Sequence, residues 1–306
     1  MANRWCSLGR SARTGSTRWL PNVRCAGFSG ITQAEHDASV RREFARQAVD
    51  GYGTEAWYSK MAITGQLEWM LEHLPLVESE RCLDVATGTA ICARAIAPRV
   101  SHVVGLDQTP EMLEAGKRLA EETGLNNISF IEGNALTMPF ADDTFDLVLC
   151  RLVVHHVHPP SHVSLVQEMT RVCKPGGRVA LIDLTAPEDA SLATRYNALE
   201  QLRDPSHTTA LSPTSLQALL TQSGLVPDAP TPPFREFSVN LEGWMDSTHT
   251  VASARSEIVA AVEAELNGTG CATGMRPHRA GRDGHALHFV HAWAVAMGHK
   301  PSLASL

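Results

Sequence analysis

Five short apolar runs, at residues 81–85, 102–107, 128–132, 145–150 and 178–183, alternate with stretches whose apolar residues recur at helical spacing. Each run has the length and apolar content of a buried strand. The segment after Asp107 opens Thr109-Pro110-Glu111, a capping Thr with Pro at the first helical position. It continues with Met112, Leu113, Ala115, Leu119 and Ala120 on one face. Residues 161–173 place Leu165, Val166, Met169, Val172 and Cys173 together before Lys174-Pro175-Gly176-Gly177 ends the helix. Strand and helix alternating five times predict a parallel sheet covered on both faces. Residues 187–233 carry helical stretches and a proline-rich connection but little strand signal, and read as an insertion. Near the C-terminus Leu287, Phe289, Trp293, Val295 and Met297 alternate with smaller residues, which predicts a long late strand with residues 234–240 as its partner.

Charge divides the chain. Residues 1–34 hold Arg4, Arg10, Arg13, Arg18 and Arg24 and no acid, whereas the chain from Glu35 onward carries a net −12. The Arg-, Ser- and Thr-rich leader has the composition of a transit peptide, so a mitochondrial location is expected, with a cytoplasmic one as the alternative. The folded domain is expected over residues 35–306. Its acidic balance disfavours nucleic acid as a partner, because phosphate binding needs a basic face. No apolar run approaches the roughly 18 residues of a membrane span, and the longest, 147–154, is broken by Arg151. The seven cysteines form no Cys-x-x-Cys pair, and four of them sit in apolar runs as small buried hydrophobes, which suits a reducing compartment. No signal sets an oligomeric state.

The feature richest in chemistry is Cys82-Leu83-Asp84-Val85-Ala86-Thr87-Gly88-Thr89-Ala90, an apolar strand running into a small-residue turn and then a helix. Small residues let backbone approach a ligand, and a helix start offers unpaired N–H groups. Alone, the stretch is equally a tight strand-to-helix turn. Asp107, however, ends the next strand 19 residues after Gly88, where an acid takes both ribose hydroxyls, and Glu132-Gly133-Asn134-Ala135 ends the third. Ligand-like elements at three successive strand ends are far more specific than any one of them.

These stretches, with Met138-Pro139-Phe140, Phe145-Asp146-Leu147-Val148 and Arg171-Val172-Cys173-Lys174-Pro175-Gly176-Gly177, resemble the class I S-adenosylmethionine-dependent methyltransferases, particularly the ubiquinone and menaquinone biosynthesis group. The resemblance covers residues 44–184, and 44–48 with Tyr52 look like the helix those enzymes place over the cofactor. It implies a Rossmann-like, mostly parallel seven-stranded α/β sheet with a helical lid inserted at about 187–233, and S-adenosylmethionine as cofactor. By position it implies Asp84 and the turn Ala86, Thr87, Gly88 and Thr89 near the methionine part and Asp107 on the ribose. It implies Met112 on the adenine, Gly133, Asn134 and Ala135 at the adenine edge, and Tyr52, Gln108 and Arg151 as further cofactor contacts. Asn134 stands where the family usually has Asp; an amide oxygen still accepts a hydrogen bond but without charge assistance, so weaker binding is expected.

The loop after the fourth strand, 151–160, carries His155 and His156 where the resembling proteins often have a His pair. A neutral imidazole there suits removal of a proton from an acceptor during methylation; the bland alternative is a pair bonded to loop backbone. A metal held by His155, His156, His158 and His162 is disfavoured, since adjacent side chains are expected to diverge and no Cys completes a set. His285, His288 and His291 are expected to be solvated or at an interface. In the insertion, Arg203-Asp204-Pro205-Ser206-His207 makes Arg203 and His207 substrate-contact candidates, against an Arg203–Asp204 salt bridge closing a helix. The expected activity is methyl transfer to oxygen, carbon or nitrogen of a small-molecule acceptor. The alternatives are a non-catalytic cofactor-binding scaffold or assembly factor, and a nicotinamide-dependent oxidoreductase, which lacks the full glycine fingerprint here.

Overall fold

The computed structural model describes residues 33–49, 64–229, 232–248, 250–281 and 284–302. The leader through residue 32, including the first five arginines, Cys6 and Cys25, lies outside the described residues, as does Tyr52. Helix α1, Gln33–Val49, begins two residues inside the segment that composition assigned to the leader. Helix α2 is Thr64–Glu72.

The strand and helix alternation is present in the order expected. It runs β1 Arg81–Val85, α3 Ile91–Ile96, β2 His102–Asp107, α4 Pro110–Glu122, β3 Ile128–Glu132, β4 Phe145–Arg151, α5 His162–Val172 and β5 Cys173–Thr185. The strands β3-β2-β1-β4-β5 are parallel neighbours. After α6, Ala190–Arg203, and α7, Pro213–Gln222, come β6 Val226–Pro227, β7 Phe234–Asn240, α8 Leu241–Asp246, α9 Ala252–Leu266, β8 His278–Ala280 and β9 Ala286–His299. Long β9 lies antiparallel to β5 and carries β6 beyond it, which completes a seven-strand path. The short strands β7 and β8 also pair with β9, making nine strands among the described residues.

Period-two alternation distributes each strand between two apolar layers. Leu83, Val85, Val148, Val179 and Leu181 face α5 and α7, while Cys82, Leu147, Leu149, Ala180 and Ile182 face α2 and α3. This corrects the reading of residues 187–233 as a lid throughout. Leu216, Leu219 and Leu220 of α7 are buried in the main core, so α7 is a sheet-covering helix. A third layer joins Tyr196 and Leu199 of α6 to Trp244, Ile258, Val262 and Phe289, so the module over the end of the sheet draws on residues beyond 233. Thr109 precedes α4 as expected, although its side chain makes no capping bond. Among the described residues no helix is long and apolar enough to cross a membrane.

One glycine couples strand to turn. A Cβ on Gly105, in the middle of β2, would lie 2.9 Å from Cγ2 and 3.1 Å from Oγ1 of Thr87. Gly105→Ala is expected to cost about 1–3 kcal/mol through overpacking, read as a lower urea midpoint at unchanged m-value.

Candidate functional site

The carboxyl ends of β1, β2, β3 and β4 open into one cleft with about 1090 Å³ of empty volume. Its floor is held by two buried carboxylates. Asp84 Oδ2 accepts from Thr87 Oγ1 at 2.6 Å and from the Ala93 N–H at 3.0 Å, which ties β1, the turn and α3 together. Asp107 Oδ2 accepts from the Gly88 N–H at 2.8 Å and Oδ1 from the Thr109 N–H at 2.9 Å, which ties the same turn to β2 and α4. Ala86 and Ala90 both hold left-handed backbone, with φ of 53° and 60°, where glycine is the easier residue. Burial raises both carboxyls: Asp84 is pushed up to about 6, and Asp107 rises although the N–H groups of Gly88 and Thr109 oppose the shift.

Asp84, Ala86, Thr87, Gly88, Thr89, Asp107, Gln108, Met112, Gly133, Asn134, Ala135, Arg151 and His156 all line this cleft. The Asn134 amide oxygen already accepts from the Leu136 N–H at 2.7 Å and shapes its own turn. Arg151 makes no hydrogen bond or ion pair with a described residue; its guanidinium lies 5.1 Å above the Trp293 ring, and Nη2 is buried without a partner. Oδ1 of Asp84 is likewise buried and unpartnered. Leu152, next to Arg151, has a φ of 59°, a strained conformation for a branched residue at the cleft wall.

The cleft's other wall is α1, whose C-terminal part is the 44–48 segment expected over the cofactor; its earlier residues were not singled out in the sequence. Gln33, Asp37, Val40 and Phe44 of α1 line it, and their 4-3-4 spacing is one helical face. The boundary drawn at residue 34 left Gln33 outside the expected domain. Helix α1 is fastened to the histidine loop: His36 Nε2 donates to the His156 carbonyl at 2.6 Å, and Ser161 Oγ donates to Gln33 Oε1 at 2.8 Å.

The remaining candidates sit behind the cleft. His155 does not line it; Nδ1 donates to Asp183 Oδ1 at 2.5 Å and the backbone N–H meets Oδ2 of the same carboxylate at 3.2 Å. Burial acts to raise the Asp183 carboxyl, but the His155 ring outweighs it and holds it below its usual range. The two adjacent histidine rings do not diverge. They occupy a 3-10 turn, Val154–His156, with centroids 4.1 Å apart. Among the described residues no group of His, Cys, Asp and Glu is arranged to hold a metal ion.

Among the described residues lining the cleft, Arg203 and His207 are likewise absent. His207 Nε2 donates to Asn197 Oδ1 at 2.7 Å, and burial pushes its ring down to about 3. Arg203 Nε donates to Glu200 Oε2 at 3.1 Å, much closer than Asp204 at 3.9 Å, and the guanidinium lies 4.9 Å over the Trp244 ring. Burial acts to raise the Glu200 carboxyl, yet Arg203, His291 and His207 together outweigh it and hold the group well below its ordinary value. His291, expected to be solvated, is 2% exposed and lies 3.4 Å from Glu200, because α6 covers this stretch of β9. His288 is half-buried and meets the Ser238 hydroxyl at 3.1 Å.

Residues 82–177 match the family described as a methyltransferase domain. The chain is 39% identical over 145 residues to the uncharacterised methyltransferase YcgJ of Bacillus subtilis, which covers 47% of this chain and 56% of that protein. The crystal structure of YcgJ superimposes on 78% of this chain and 99% of its own, at a TM-score of 0.68 and 28% identity. Residues 82–177 form a methyltransferase domain. A demethylmenaquinone methyltransferase of Listeria welshimeri is 35% identical over 139 residues, 43% of this chain and 58% of that protein. The chain thus spans a little over half the length of the curated relatives it matches. Geranyl diphosphate C-methyltransferase from Streptomyces coelicolor, solved with S-adenosyl-L-homocysteine, shares the fold at a TM-score of 0.54 and 15% identity.

The match to the family model ends at residue 177, and the Glu200–Arg203 pair lies beyond it in the layer that joins α6 to Trp244 and Phe289. Removing one partner of a buried pair strands the other charge, at about 3–5 kcal/mol. Arg203→Ala should therefore lower the urea midpoint sharply, whereas a stability within about 0.5 kcal/mol of the parent, the range of ordinary surface substitutions, would show the pair to be dispensable.

Proposed function

We propose that this protein transfers a methyl group from S-adenosylmethionine to a small-molecule acceptor bound in the cleft. The observation that carries the reading is Arg151, whose Nη2 is buried without a hydrogen-bond partner among the described residues, lining the same cleft as a ribose-type acid, Asp107. A buried donor left unpaired is costly, and an amino-acid carboxylate supplies the missing acceptor. Asp107 spends one lone pair of each oxygen on a backbone N–H, which leaves acceptor capacity for a ribose diol. A Cβ on Gly88 would stand 4.0 Å from Met112 Sδ, so this glycine leaves flat apolar space next to a sulfur that suits a purine ring. Asp84, buried beside Arg151, favours an ammonium group over a neutral one. Carboxylate, ammonium, diol and purine together describe S-adenosylmethionine. The S-adenosylhomocysteine held by the Streptomyces neighbour supports the same ligand class.

When bound, that cofactor supplies a methyl group already activated by its sulfonium. The chain's residues then have three tasks. Arg151, Asp84 and Asp107 orient the ligand, and alignment of this kind supplies roughly 7–11 kcal/mol in favourable cases. Phe44, Leu152, Val153 and Val157 give the cleft an apolar wall that keeps water from the methyl group. His156, pushed down to about 4 by burial and by neighbouring His155, stays neutral at physiological pH and is able to accept a proton. The quinone-precursor methylation named for the Listeria relative makes a hydroxylated or carbon-acid aromatic a natural first acceptor to assay.

Titration calorimetry with S-adenosylhomocysteine tests the reading. The parent protein is expected to bind. Arg151→Ala and Asp107→Asn should each weaken binding roughly 10- to 100-fold, the worth of a hydrogen bond to a charged group; no binding by the parent at millimolar ligand overturns it.

The pH dependence has a defined sign. Without ligand Asp84 takes its proton near pH 6, above its ordinary 3.8. The protonated folded form is therefore favoured, and the group's contribution to stability declines as pH rises from about 4 to about 6. A ligand ammonium favours the ionised form, so binding expels a proton below pH 6 and affinity falls as pH drops through that value. Asp84→Asn should flatten the slope; the same slope in that variant would assign it to another group.

A further inference from the structure

His156 lines the cleft, and its surroundings determine which ring nitrogen carries the proton. Nδ1 lies 3.1 Å from the carbonyl oxygen of Ser206 and 3.1 Å from the Ser206 hydroxyl. A carbonyl oxygen only accepts. The hydroxyl has already placed its proton elsewhere: Ser206 Oγ donates to Asp204 Oδ1 at 2.6 Å, and the Ser206 backbone N–H donates to the same oxygen at 2.9 Å. Asp204 is 3% exposed, and the neighbouring His156 and Arg203 outweigh the effect of burial and hold its carboxyl below the usual range. Both atoms facing Nδ1 are thus acceptors, and a neutral ring satisfies them only as the Nδ1–H tautomer. The lone pair then sits on Nε2, which makes no hydrogen bond with a described residue.

The turn is fastened on both sides of the ring it serves. Thr208 Oγ1 lies 2.8 Å from the His155 carbonyl and 2.7 Å from the Val157 carbonyl, its one proton serving either, and the Thr208 N–H reaches the His155 carbonyl at 2.7 Å. Asp204 and Ser206 therefore cannot shift relative to His156 without breaking these bonds.

We propose that Asp204 and Ser206 are positioning residues that hold His156 in the Nδ1–H form and so present a bare Nε2 to the methyl acceptor. The role rests on the methyl-transfer reading above. The acceptor's electron pair forms the bond to the methyl carbon, the carbon–sulfur bond breaks with its electrons kept by sulfur, and the acceptor's proton moves to Nε2. The resulting imidazolium points Nδ1–H at Ser206 and, through its hydroxyl, at ionised Asp204. That carboxylate offsets a positive charge formed next to His155, in a setting that also includes Asp183, His36 and His207.

Long-range proton–nitrogen NMR of the full chain with ring-labelled histidine, with His156 assigned by comparison with His156→Gln, reads the tautomer directly. The parent should show a protonated Nδ1 and an unprotonated Nε2. An Nε2–H tautomer overturns the proposal without any variant having to fold. Asp204→Asn removes the anion and should shift half-protonation of His156 to lower pH; Ser206→Ala cuts the link and should shift it the same way. Unchanged titration in both variants also overturns it, since a purely structural turn would leave the ring as it was. The two readings separate on S-adenosylhomocysteine binding, which Asp204→Asn should leave within about twofold. A parent that does not bind sinks the methyl-transfer reading, whatever the tautomer.

Discussion

The site depends on carboxylates buried at the ends of parallel strands. Asp84 and Asp107 are almost wholly buried, and a buried polar group is costly without partners. They find them in the Thr87 hydroxyl and the Gly88 N–H of one turn, the Ala93 N–H of α3 and the Thr109 N–H before α4. These bonds involve an ionisable acceptor and are stronger than neutral ones. They hold Ala86 and Ala90 in left-handed conformations that cost of order 1–3 kcal/mol each. Were the carboxylates removed, the turn would keep only backbone bonds such as Thr87 N–H to the Leu106 carbonyl at 2.9 Å and Ala90 N–H to the Thr87 carbonyl at 2.9 Å. The pressure of Thr87 on Gly105 belongs to the same joint, since the hydroxyl that contacts Asp84 sits on the side chain that fills the space a Cβ would need.

The central sheet was legible in the sequence because short apolar runs between helical periods have one compact solution. The cleft floor was legible because its residues lie at strand ends, where spacing along the chain becomes spacing across the sheet. What escaped was set by contacts distant in sequence. Asp183 meets His155 only because β4 and β5 are neighbours in register, which no local pattern records. Alternation along β9 separates two faces but does not say what covers them, and α6 turned His291 from an expected surface residue into a buried one. Helix α7 was assigned by its position after the fifth strand, although its Leu216, Leu219 and Leu220 carry the spacing of a core helix. Adjacent histidines diverge in extended chain; in a 3-10 turn their rings face each other instead.

Behind the cleft lies a polar layer in which charge is rationed by burial. Glu200, Asp204 and Asp183 are all held below their usual ranges, while His156 and His207 are pushed down and remain neutral. Each carboxylate is matched to a different partner: Glu200 to Arg203, Asp183 to His155, Asp204 to the Ser206 hydroxyl. Exchanging them would leave a charge stranded, so the layer specifies how the C-terminal module seats on the sheet. It does this while contributing only one ring to the cleft itself.

The two adjacent histidines are unlike in their surroundings. His155 bonds its carboxylate directly, at 2.5 Å, and lies outside the cleft. His156 lines the cleft and reaches its carboxylate through a hydroxyl. A ring locked straight onto Asp183 has no tautomeric freedom and no access to a ligand, so it serves as a wall against which His156 stacks. With centroids 4.1 Å apart, the two rings cannot both carry a proton without strong repulsion. Under the proposed methyl transfer, a proton taken by His156 therefore needs the negative charge of Asp204, reached through the Ser206 hydroxyl, to balance it.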